Sequence, residues 1–151
     1  MRVLVTLTLP RDAVSVPLAR HVVSAALKRA GVTADCMAEV EVAVSEACTN
    51  ALHHSGDGGS YDVRMQLGDE RLEIEVIDAG AGFGPRPVVG VMSHPAAENG
   101  RGMALMAAYS DSAVFDTVAD GGGLVHLTKQ LRWVVEDRLR QPPDDLEEWE
   151  A

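Results

Sequence analysis

The sequence predicts an α+β fold, a two-layer sandwich in which a mixed, largely antiparallel sheet carries helices on one face. Two pairs of alternating apolar–polar runs, 61–67 with 71–78 and 112–118 with 124–131, read as hairpins, and residues 2–9 add a lone β-branched strand. The first two helical segments are consecutive, so the βαβ crossovers that a doubly wound parallel sheet needs are missing. Aromatics make up only 4% of the chain, which leaves Val, Leu, Ala and Met to build the core.

In chain order, "RVLVTLTL" forms the first strand and Pro10 ends it. Asp12 is placed to cap a helix reaching about Arg29, with Pro17 tolerated in its early part, and Gly31 stops it. Thr33 or Asp35 starts the next helix, which runs to His54. Along it Met37, Val40, Val44, Ala47, Cys48 and Ala51 form an apolar stripe, while Glu39, Glu46, Asn50 and His53 line the other side. "SGDGGS" links to "YDVRMQL", "GDE" turns the chain, and "RLEIEVID" returns with one apolar and one wet face. Residues 79–100 are rich in Gly and Pro and show no period, the mark of a functional or disordered loop. A short helix, "GRGMALMAAYS", and the second hairpin close a domain spanning 1–133. The remaining residues, 134–151, are acidic and contain prolines, as expected of a mobile tail.

Composition narrows the class. The charged fraction is 24% and apolar residues make up 46%, as in a soluble globular domain. The apolar runs are too short for a membrane helix, and the N-terminus lacks the pattern of a signal peptide, so no membrane association is expected. Cys36 and Cys48 have no metal spacing, and free thiols in a cytoplasmic protein are the expectation. A net charge of −10 argues against direct nucleic-acid binding, which needs cations to displace counterions.

Three short stretches carry chemistry. In "EVAVSEACTNALHHS", Glu46 and Asn50 lie one helical turn apart, either on a solvated edge or facing a site. "DAGAGFG" follows directly on a strand: Asp78 can accept from an exocyclic amine, and the glycines admit close backbone approach, although glycine-rich loops after strands are more often plain turns. "NGRGMALM" sets glycines at a helix start, where free N–H groups favour an anion, or else is a loop with an exposed Arg. His53 and His54 point to different helix faces and are poor metal partners for each other.

Taken together, in this order and spacing, the three stretches resemble the N box and the two glycine boxes of the GHKL or Bergerat ATP-binding fold, shared by histidine kinases, gyrase and MutL. The resemblance runs from about residue 35 to 131. Within that superfamily the short chain and the pattern E-A-x-T-N-A-x-x-H are most similar to anti-sigma factors of the RsbW and SpoIIAB type. The resemblance implies ATP and Mg²⁺ as cofactors, with Asn50 as the metal ligand and Glu46 as general base toward a serine hydroxyl. It further implies that Asp78 reads the adenine amine, that Gly80 and Gly82 let the lid backbone pass, and that Gly100, Arg101, Gly102 and Met103 form the phosphate-side box. His54 matches the N-box histidine in a packing or capping role. The implied partners are a sigma factor, an anti-anti-sigma protein of the STAS type, and a second copy in a homodimer. A non-catalytic sequestering module of the same fold is the alternative.

Two departures bear on this expectation. The turn "GGGLVHL" puts Gly123 and Leu124 where a hydroxyl supporting the adenine-side Asp is expected, which bears on nucleotide affinity and base choice. Glu98 and Asn99 precede the second glycine box where the kinases often carry a basic residue, which bears on transfer more than on binding.

Overall fold

The computed structural model describes residues 2–54, 59–78, 88–89, 98–117 and 122–134. The elements run β1 (Val3–Pro10), α1 (Ser15–Ala30), α2 (Ala34–His54), β2 (Ser60–Leu67), β3 (Arg71–Asp78), β4 (Val88–Val89), α3 (Glu98–Ala108), β5 (Ser112–Thr117) and β6 (Gly123–Gln130). The strands form one sheet in the order β1-β2-β3-β6-β5-β4. Each of its pairings is antiparallel, so the mixed sheet expected from the sequence is purely antiparallel among the described residues. β4 lies within the segment read from sequence as structureless; a two-residue strand is too short to show a period.

Alternation sets the two faces. Tyr61, Val63, Met65 and Leu67 of β2 are buried, as are Leu72, Ile74 and Val76 of β3 and Val125 and Leu127 of β6. The opposite face shows Thr6, Arg64, Glu73, Glu75 and His126, which border an open groove of about 280 Å³. The helices pack on the first face. Ala19, Val23 and Leu27 of α1 meet Val40, Val44, Ala47, Cys48 and Ala51 of α2 in one apolar cluster. Leu27 is fully buried, and a side chain of that size contributes about 1.5–3 kcal/mol by leaving water.

The start of α1 differs from the expected one for a local reason, while α2 starts where expected. α1 begins at Ser15 rather than Asp12, because Asp12 folds its own turn instead: its Oδ1 accepts the Val14 N–H at 3.2 Å and its carbonyl accepts from Ser15. Gly31 ends the helix with φ at 89°, a left-handed conformation that favours glycine. Thr33 caps α2, accepting the Cys36 N–H at 3.3 Å.

At the end of the domain remote from Asn50, Glu39 of α2 pairs with Lys129 at 2.5 Å and with Arg132 at 3.1 Å. The Lys129 hydrogen bond holds the Glu39 carboxyl below the usual carboxylate range against the opposing pull of burial. A depressed folded value gives stability that is complete above the unfolded glutamate range and is lost as pH falls through the folded value. Glu39→Gln is therefore expected to lower the melting temperature by roughly 3–5 °C near neutral pH. The difference from wild type should narrow as pH falls below the unfolded glutamate range and through the lowered folded value. Thermal melts of both proteins across that pH range check it; a constant difference would place the effect in packing instead of charge.

Candidate functional site

The last two turns of α2 carry the polar pair. Asn50 is only 7% exposed, and its Nδ2 has no hydrogen-bond partner among the described residues. The solvated edge left open by the sequence is thereby excluded for Asn50. Leaving a buried amide donor unpaired costs about 1–3 kcal/mol, which a core position would not carry without a use. Its amide can offer Oδ1 to a cation and Nδ2–H to an anionic oxygen. Glu46, one turn earlier, is half-buried.

α3 brings Gly102 of the second glycine box against Glu46. A Cβ built on Gly102 would come 3.1 Å from Glu46 Oε2, closer than side chains normally tolerate. Gly102 therefore gives clearance to the Glu46 carboxylate, a role that spacing could not reveal. The helix begins at Glu98, so its first-turn N–H groups lie at 98–100 while Gly102 and Met103 sit further in. The Met103 side chain packs against the core cluster, and Arg101 is exposed.

Asp78 ends β3 with 6% exposure, and the Gly123 backbone N–H donates to its Oδ1 at 3.4 Å. At the glycine turn, then, a main-chain donor on β6 stands where a hydroxyl is expected. Leu124 pairs with Ile77 and by alternation faces away from Asp78.

Across the hairpin, Tyr61 is the register partner of Asp78. Its hydroxyl meets Ser15 Oγ at 2.5 Å, and Ser15 Oγ donates to the Asp12 carbonyl at 2.7 Å, so in the first contact Tyr61 is the donor. Burial pushes the Tyr61 hydroxyl and the neighbouring Cys48 thiol each up to about 12. The thiol therefore stays protonated and unreactive at neutral pH.

Gly80 and Gly82 lie outside the described residues, as does the acidic tail beyond residue 134. His53 is exposed, and the side chain of His54 is not among those described. No group of three His, Cys, Asp or Glu residues gathers as a metal cage among the described residues. The Asn50 Oδ1 is a neutral oxygen donor of the kind Mg²⁺ takes alongside ligand oxygens and water. Sequence reading passed over Arg11, Ser15 and Tyr61, because only the folded chain brings them beside α2 and Asp78.

The fold is an antiparallel sheet with helices on one face, with a buried amide near the end of α2, a buried carboxylate at the end of β3, and Gly102 of α3 set against Glu46. The histidine kinase-like ATPase domain family matches residues 9–129, and the chain belongs to that family. It is 31% identical to the serine-protein kinase RsbW of Bacillus pumilus over 142 residues, covering 85% of this chain and 86% of that protein. It is 36% identical to the same-named protein of Halalkalibacterium halodurans over 80 residues, about half of each chain at 52% and 49%. In structure it is similar to the RsbU and RsbW domains of a Mycobacterium tuberculosis protein, with a TM-score of 0.64 over 88% of this chain and 35% of that one. At 22% identity, that likeness speaks for the fold.

Proposed function

We propose that this chain binds ATP with Mg²⁺ and is an anti-sigma factor kinase, transferring phosphate to a serine of an anti-anti-sigma partner and sequestering a sigma factor. The observation that carries the reading is the buried Asn50 amide, its Nδ2 unpaired among the described residues, one turn from a Glu46 carboxylate that Gly102 makes room for. Likeness to the named serine-protein kinases supports the substrate class. A cytoplasmic location and a homodimer belong to the same proposal.

Each residue then has a task. Asp78, fixed by the Gly123 N–H, accepts from the adenine amine. Asn50 Oδ1 would hold Mg²⁺, which supplies charge neutralisation along the phosphates. Gly100 and Arg101 at the start of α3 bind phosphate oxygens, and Gly80 and Gly82 admit the lid backbone. Glu46 accepts the proton of the serine hydroxyl as its oxygen bonds the γ-phosphorus; the bond to the bridging oxygen breaks and ADP departs.

Gly102→Ala separates these tasks. Alanine favours a helix by ~1 kcal/mol over glycine, so the variant should melt no lower than wild type. Its Cβ displaces the Glu46 carboxylate, so transfer should fall by about 10-fold or more while ATP still binds. Melting curves beside single-turnover transfer assays read both.

The function itself is tested by incubating the protein with γ-labelled ATP, Mg²⁺ and an anti-anti-sigma protein. Label on serine is expected. ATP binding without label would favour a sequestering module, the reading that Glu98 and Asn99 before the box support. Absence of nucleotide binding at millimolar ATP would overturn the proposal.

A further inference from the structure

We infer that Arg11 is a positioning residue that holds the Asn50 turn of α2 in the orientation needed for the nucleotide's cation; this rests on the nucleotide reading above. Arg11 is the first residue beyond β1, and its backbone N–H donates to the Gly59 carbonyl at 3.4 Å. Its Nη1 reaches across the link to α2 and donates to the Ala51 carbonyl at 3.3 Å. Ala51 is the residue after Asn50, in the final turn before α2 ends at His54. A helix C-terminus gathers partial negative charge, and a guanidinium there is electrostatically favoured.

The contact has the character of a fixed strut. Arg11 is half-buried, and its stem passes Gly59, where a built Cβ would lie 3.8 Å from Nε and where φ is +85°. Four residues on, Ser15 is bonded to Tyr61, the cross-strand partner of Asp78. The segment 11–15 thus bonds both the turn that carries Asn50 and Tyr61, the β2 residue paired with Asp78. A last helical turn frays readily when nothing holds it. Asn50 has no hydrogen bond of its own amide nitrogen to set its direction, so the orientation of that turn decides where the amide points.

The test is ATP affinity with Mg²⁺ and with the metal chelated, measured for wild type, Arg11→Met, Asn50→Ala and the double variant. Arg11→Met is expected to lower affinity about 10-fold with Mg²⁺ and less than about twofold without it, and to add nothing to Asn50→Ala. Arg11→Lys keeps the charge but loses the planar fork, and is expected to lose about threefold; it serves as the readout if the methionine variant does not fold. Equal loss with and without metal, or additive loss in the double variant, would overturn the positioning role while wild-type binding stands. A wild type that binds no ATP would instead overturn the functional reading itself.

Discussion

Glu46→Gln is expected to lower phosphate transfer to the partner serine by about 10²–10⁴-fold while ATP affinity stays within about twofold. Glutamine keeps the size of the side chain and its fit beside Gly102, and removes only the capacity to take a proton. The carboxylate is half-buried beside Gly102, so solvent is a poor substitute base. Rapid-quench transfer rates, set beside equilibrium binding of the same preparation, separate chemistry from affinity. A rate within about threefold of wild type would make Glu46 an orienting group and leave the base elsewhere.

Asn50→Ala is expected to move function and stability in opposite directions. Affinity for ATP with Mg²⁺ should fall by about 10–100-fold, because the oxygen proposed to hold the cation is lost. The melting temperature should hold or rise by about 2–4 °C, since the substitution deletes a buried donor that has no partner. Stability retained at the cost of function is the mark of a polar group kept for a ligand. A lower melting temperature with unchanged Mg²⁺-dependent binding would show the amide to be structural.

Much of the fold was legible because its periods are clean. The hairpin 60–67 with 71–78 lies within a residue of its expected bounds, and the stripe of Val40, Val44, Ala47, Cys48 and Ala51 is the buried face of α2. What failed had a local cause. Asp12 spends its side chain on the turn before α1, and competition of that kind between capping and turn formation leaves no trace in the sequence. One contact of the second glycine box was not legible: Gly102, expected on the phosphate side, also lies against Glu46, which order and spacing do not reveal.

The sequence by itself determined the alternation that builds the sheet, the helix that spaces Glu46 and Asn50 one turn apart, and the boxes that mark the family. These follow from backbone periods and from residue types that act within a few positions. Tertiary structure alone decided that Asn50 is buried with its Nδ2 unpaired among the described residues and that Gly123 supports Asp78 through its main chain. It also decided that Arg11, 40 residues away in sequence, reaches the turn beside Asn50. Each depends on segments distant in the chain meeting at one place, and neither propensity nor period carries that distance.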